Sequence, residues 1–285
     1  MTPKISHSEK IEIELNIGDQ LTSISCGHII VELIKFLAYQ RLQIPYTYQW
    51  LKQVINKKNE SETEKESYQS ERHFHIASTA LNNLDFVLKN LMKEIEGASQ
   101  PQEVCIAFGA TPVSCKEIYR VILPLVCHKP QCHSIHIASD KKIQSSVFRN
   151  MVTSEKLSKV FFETLSPMNM YVFLKKVPIN NQQVVCNDSF VLVNGYRIPR
   201  SCKVIVLNFK SSNSENTKCC NDFQVFGDAL CQELAQVNIN NCNDNNFDEI
   251  ESTDEVKWFQ STYVMKGFKD FVINGSSITN TWLQC

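Results

Sequence analysis

Glycine is scarce in this sequence, with eight among 285 residues. Few backbone positions can therefore cradle a phosphate, and there is no Walker loop, no G-x-S-x-G elbow and no G-x-G-x-x-G run. The "GATP" at 109–112 reads as a strand-to-helix turn rather than a nucleotide loop. An excess of one charge is also missing. Lys and Arg total 29 against 30 Asp and Glu, so no large field draws in nucleic acid or acidic lipid. Long apolar runs are absent as well: the opening "MTPKISHSEKIEIELN" has none of signal-peptide length, and no later segment approaches the roughly 20 residues of a membrane helix. The expectation is a soluble intracellular chain with no nucleic-acid or membrane partner. No Cys/His or Ser/His pairing has catalytic spacing, so the chain reads as a non-enzyme without a cofactor.

Cysteine is plentiful, at twelve, but irregularly spaced, which suits reduced thiols better than a disulfide framework. The sequons at Asn59, Asn187 and Asn274 then carry little weight. Metal-like chemistry is confined to "CHKPQCHSIH", where Cys127, His128, Cys132, His133 and His136 supply donors within one short stretch. Structural zinc sites pair a short Cys knuckle with a second pair about a dozen residues on, and none follows here. Cys127, Cys132, His133 and His136 are thus weak candidates, set against a loop and strand with His136 as an ordinary strand residue. Cys219 and Cys220, in an Asn/Ser-rich stretch, read as solvent-facing.

The patterned segments are clear. "EKIEIELN" alternates Ile11, Ile13 and Leu15 with charges, the period of a half-buried strand. From Cys26 to about Leu42, apolar residues recur at helical spacing until Pro45 stops them. "YQWLKQVIN" predicts a short helix, and "KKNESETEKESYQSE" a polar connector. Phe74, Ala77, Leu81, Leu84, Leu88, Leu91 and Ile95 step by three and four, predicting a long core helix that ends at Gly97 in a C′ position. "EVCIAFGA" reads as a buried strand. Ser114 and Glu117 have capping-box spacing, so a helix is expected over "SCKEIYRVIL", and "KKIQSSVFRNMV" predicts a short amphipathic helix. "NMYVFLKKV", "SFVLVNG", "CKVIVLNF" and "VKWFQSTYVMKGF" read as strands. Helix early and sheet late is the order of an α+β domain. Between Lys210 and Glu255 the composition turns to Asn, Asp, Ser and Glu, an insertion in which "NDFQVFGDALCQELAQV" offers one helical stripe.

Three separated stretches, "AYQRLQIPYTYQWLK", "VCIAFGATPVSCKEIYRVIL" and "WFQSTYVMKGFK", together resemble the comet family of spindle-checkpoint proteins. The likeness runs from about residue 26 to 270. It is specific in Tyr39-Gln40-Arg41, Lys116-Glu117-Ile118-Tyr119, Phe148-Arg149, Tyr196-Arg197-Ile198-Pro199, and from Trp258-Phe259-Gln260 to Lys266-Gly267-Phe268. The insertion at 210–250 and the tail "FVINGSSITNTWLQC" have no recognised counterpart, and the family's longer N-terminal arm is nearly absent.

The resemblance implies an α+β, HORMA-like domain: a three-stranded antiparallel sheet packed on three helices, with C-terminal strands wrapped around it. A short flexible N-terminus at 1–8 would precede this single domain at 9–285, with a mobile loop at 57–67. The implied activity is that of a non-enzymatic adaptor. It would bind the closed conformer of the mitotic arrest deficient 2-like protein and present it to a hexameric AAA+ remodelling ATPase of the thyroid receptor-interacting protein 13 type. The mitotic checkpoint complex would be dismantled and the spindle assembly checkpoint silenced, in nucleus and cytoplasm and at the spindle or kinetochore in mitosis. The implied checkpoint-protein interface is Gln40, Phe148, Arg149 and Val152. Gln40 lies four residues past Phe36 and seven past Leu33, at the edge of the apolar face. Arg197 matches the family's ATPase-facing surface, where a family Pro-Lys pair is replaced by Leu192 and Val193. Two other readings share parts of this pattern: a HORMA-type protein that binds a closure-motif peptide, and a zinc-binding regulatory protein resting on 127–136.

Overall fold

The computed structural model describes residues 10–17, 21–60, 67–97, 99–124, 140–177, 186–210, 256–273, 275–279 and 282. Helix α1 (Ser23–Gln40) starts where the Thr22 hydroxyl accepts the Ser25 N–H, one of the donors a helix start leaves unpaired. Its Ile29, Ile30, Leu33, Ile34 and Leu37 are buried. Helix α2 (Tyr48–Glu60) follows, and α3 (Tyr68–Glu96) begins at the Ser67 N-cap. The three-and-four stripe of α3 turns inward: Ala77, Leu81, Leu84, Leu88, Leu91 and Ile95 are all buried in the main core. That burial is intramolecular, as a core helix requires.

The sheet has eight strands among the described residues: β1 (Lys10–Asn16), β2 (Glu103–Gly109), β3 (Cys115–Ile122), β4 (Asn169–Lys176), β5 (Phe190–Leu192), β6 (Lys203–Lys210), β7 (Lys257–Ser261) and β8 (Met265–Lys266). Their order is β1-β6-β3-β2-β4-β7-β5, with β8 on β4. β6 runs parallel to both β1 and β3, and the other pairs are antiparallel. Every residue of β2 is buried, because helices cover one face and loops the other. Val104, Ile106 and Phe108 join the helices in the main core, whereas Cys105 and Ala107 face a second cluster with Phe173 and Tyr196. Among the described residues between β3 and β4 are two helices, α4 (Asp140–Thr153) and α5 (Glu155–Phe162). The C-terminal tail forms a small hairpin, β9 (Val272–Ile273) with β10 (Ser276–Ser277). Beyond it Trp282 is fully buried, edge-on to Phe74 and donating its indole N–H to Ser70 Oγ at 2.8 Å.

The α+β class stands, but several details differ from the expectation. Among the described residues the sheet is mixed and eight-stranded rather than three-stranded and antiparallel, and there are five helices rather than three. "SCKEIYRVIL" is strand β3, not a helix. The Ser114 hydroxyl accepts from the Thr111 N–H and pairs with its hydroxyl, closing the β2–β3 turn instead of capping a helix. Gly109 permits this tight crossing, since a Cβ there would lie 2.5 Å from the Cys115 Cα. Residues 57–60 continue α2 rather than opening a loop. Gly97 caps α3 in an extended conformation with φ −68°, not a left-handed one. Helix α5 is not among the elements expected from the sequence. The helical stripe in the insertion and the stretch 127–136 lie outside the described residues.

Candidate functional site

The end of α1 governs the site. Arg41 N–H bonds to the Leu37 carbonyl, Leu42 N–H to Tyr39 and Gln43 N–H back to Ala38. This is the Schellman pattern of bonds that terminates a helix through a left-handed residue. That residue here is Leu42, with φ 56° and a side chain 49% exposed, in a place where glycine is the unstrained choice. The reversal sends two neighbouring side chains in opposite directions. Gln40 stays at the half-buried margin of the helix, whereas Arg41 turns inward and is 2% exposed.

Arg41 ties three elements together. Its Nε and Nη2 each donate at 2.8 Å to the two carboxylate oxygens of Glu117 on β3, a bidentate charge-assisted pair. Its Nη1 donates to the carbonyls of Val160 and Glu163 at 3.1 and 2.8 Å, satisfying acceptors that the end of α5 leaves open. The Tyr119 hydroxyl also donates to Glu117. Burial first, and then the Glu117 carboxylate, push the Tyr119 phenol well above its ordinary pKa. Next along the chain, the Gln43 side chain accepts the Met168 N–H at 2.8 Å and donates to the Arg41 carbonyl. Gly267 packs against the same spot, where a Cβ would stand 2.8 Å from both Gln43 Oε1 and the Met168 carbonyl.

With α5 held in this way, α1, α4 and α5 enclose a surface built on Phe36. Phe148 of α4 meets the Phe36 ring edge-on at 5.6 Å and Phe161 of α5 meets it at 5.9 Å, a favoured aromatic geometry. One groove beside Phe36 is lined by Gln40, Met151, Val152, Phe161 and Phe162. A second, on the other side, is lined by Phe148, Tyr39, Lys35 and Tyr48. Val152 is 65% exposed and Phe162 90% exposed, while Phe148 is half-buried and Arg149 is exposed.

Gln40 and Val152 therefore share one groove, and Phe148 lies just across Phe36 with the exposed Arg149 next to it in α4. Arg197 sits elsewhere. It is exposed on the loop that leads into β6, over the sheet face turned away from the helices. Its neighbour Tyr196 is buried there, stacked on Phe173 at 4.3 Å and edge-on to Trp258 at 5.4 Å. Val193 packs on the same cluster and donates its N–H to the Trp258 carbonyl, and Leu192 is exposed. Among the described residues no group of three or more His, Cys, Asp or Glu side chains could hold a metal. The weak candidates Cys127, Cys132, His133 and His136 lie outside those residues. The sequence reading missed Arg41, Phe161 and Phe162. Arg41 and Glu117 did fall within two of the stretches that carry the resemblance, which was the only signal pointing to them.

Comparison with known proteins agrees with that resemblance. The family model described as "p31comet: Mad1 and Cdc20-bound-Mad2 binding" matches residues 16–226. Comparison with curated proteins gave no significant match.

Proposed function

The chain belongs to the p31comet family, which binds Mad1- and Cdc20-bound Mad2, and from that premise we propose a non-enzymatic adaptor that reads the closed conformer of Mad2. Its domain is HORMA-like, so it binds a structural cousin through the surface formed by α1, α4 and α5. The observation that carries this reading is the grouping of Gln40, Val152 and Phe148 around the Phe36 ring, with exposed apolar side chains no other part of the described chain covers. Half-buried Phe148 is the anchor, and Gln40 supplies an amide at a partly shielded margin. Arg149 and Val152 extend the same face.

The adaptor then hands Mad2 to an AAA+ remodelling ATPase of the thyroid receptor-interacting protein 13 type, which opens Mad2 and dismantles the mitotic checkpoint complex. The ATPase-facing side is the Arg197 loop, on the opposite sheet face. Exposed Arg197 offers a fork for a carboxylate, while buried Tyr196 fixes the loop beneath it. Two partners can therefore bind at once without competing for surface. Work in the nucleus and cytoplasm, and at the spindle or kinetochore in mitosis, follows from this role.

The test is a reconstituted release assay with the ATPase, Cdc20-bound Mad2 and this protein. Release of Mad2 should require the protein and ATP. Arg197→Glu should abolish stimulation while leaving Mad2 binding unchanged. Stimulation unaffected by Arg197→Glu would remove the ATPase assignment, and ATP turnover by the isolated protein would remove the non-enzymatic one.

A further inference from the structure

Helix α5 ends in two consecutive phenylalanines that do different things. Phe161 folds inward, edge-on to Phe36 at 5.9 Å and 6.0 Å beneath the Arg41 guanidinium. Successive helical residues point about 100° apart, so Phe162 faces solvent. At 90% it is the most exposed large apolar side chain among the described residues. A single exposed Phe needs no explanation, but this one lines the groove shared by Gln40, Met151, Val152 and Phe161. It is also held firmly, because Arg41 fastens the carbonyls of Val160 and Glu163 on either side of it. A rigidly mounted aromatic loses little conformational freedom when covered.

Charges of both signs flank the groove: of the exposed carboxylates on α5 and at its C-cap, Glu163 is paired with Lys203 and Glu155 lies at the far, N-terminal end of the helix. Exposed Arg149 of α4 and exposed Lys159 of α5 make no ion pair with a described residue, and Lys159 lies three residues before Phe162, on the same side of the helix. Among the described residues of the groove lining itself there is no carboxylate. A complementary surface would present an apolar side chain for the groove and carboxylates at its rim.

We propose that Phe162 is a second aromatic anchor for the Mad2 partner, with the Gln40–Val152–Phe162 groove taking an apolar side chain of that partner and Arg149 and Lys159 pairing with acidic residues at its edge. This rests on the reading that α1, α4 and α5 form the Mad2-binding surface. It goes beyond that reading by extending the surface onto α5, a helix with no role in the interface expected from the sequence. Anchors of this type dominate binding when they end in a desolvated pocket, and charges at the rim mainly set the association rate.

The experiment measures affinity and association rate for purified, closed-locked Mad2 against the full chain carrying Phe162→Ala, Phe148→Ala or Arg149→Glu with Lys159→Glu, alongside thermal melting and solution mass. Phe162→Ala should weaken binding by about tenfold or more without lowering the melting temperature, since its side chain touches little of the fold. The double charge reversal should slow association and flatten its salt dependence. If Phe148→Ala weakens binding and Phe162→Ala does not, the second anchor is wrong and the Mad2-binding surface survives. If neither variant weakens binding, both fail together. If Phe162→Ala changes only self-association, seen as a loss of dimer mass with Mad2 affinity intact, the groove belongs to a second copy of this chain and the proposal is overturned.

Discussion

Arg41 and Glu117, 76 residues apart in sequence, meet in the interior through two parallel hydrogen bonds of 2.8 Å, with side chains 2% and 5% exposed. The pair joins the end of α1 to strand β3, and the remaining guanidinium nitrogen holds the end of α5. The position of the proposed binding surface therefore rests in part on this buried contact.

Removing one member of that pair leaves the other charged and unpaired in the interior. Arg41→Ala or Glu117→Ala should each destabilise the fold by about 3–5 kcal/mol, read as a fall in the urea midpoint. Arg41→Met with Glu117→Leu should cost much less than the two single changes added, because no orphaned charge remains. Additive losses would show that the two groups do not act as a pair.

Leu42 holds a left-handed conformation in which a Cβ is unfavourable. Leu42→Gly should stabilise the protein by up to about 1 kcal/mol, the relief of strain being offset in part by greater freedom of the unfolded chain. Leu42→Ile should destabilise it, since branching at Cβ worsens the clash. Denaturant midpoints for the two variants should move in opposite directions.

His73 is enclosed by Phe268, Phe271 and Trp282 at 5.6–5.9 Å between ring centres, and its Nε2 has no hydrogen-bond partner among the described residues. Burial lowers its pKa below the ordinary 6.5, with Asp270 opposing the shift. Between the folded value and 6.5 the unfolded chain binds more protons, so stability falls as pH drops through this window and levels off below the folded value. His73→Phe should remove this part of the acid sensitivity. Truncation after Asp270 should move the His73 titration, followed by NMR, back up toward 6.5. A titration midpoint above 6.5 in the intact protein would reverse the sign and contradict this account.

Phe148 contributes to the fold through Phe36 and, on the proposed reading, to the partner interface. Phe148→Ala should cost about 2–4 kcal/mol of Mad2 binding, roughly 30- to 1000-fold in Kd, with the fold retained. Gln40→Ala should cost about 1–2 kcal/mol. A sharp drop in melting temperature with unchanged affinity in the folded fraction would make Phe148 a core residue only.

What the sequence revealed depended on how local each cause was. The α3 stripe from Ala77 to Ile95 and the alternation of Ile11, Ile13 and Leu15 are local patterns, and both elements formed as read. Strand β3 was misread because Ser114 and Glu117 imitate a helix cap, while the true partner of Glu117 is Arg41, far away in the chain. Helix α5 is only eight residues long, too short for periodicity to stand out. Gln40 could be placed at the edge of its apolar face by counting along one helix. The grooves around Phe36 could not, because they need α4 and α5 packed against α1. The burial of Trp282 against Ser70 and Phe74 is likewise a long-range contact, in a tail for which the resemblance offered no counterpart.

The central claim is that this p31comet-family protein distinguishes two conformers of one partner, which requires a difference in affinity between them. Calorimetric titration of the intact protein with Mad2 locked closed and, separately, Mad2 locked open tests it most directly. The account predicts saturable binding to the closed form and binding to the open form weaker by about a hundredfold or more. Equal affinity for the two forms would contradict it.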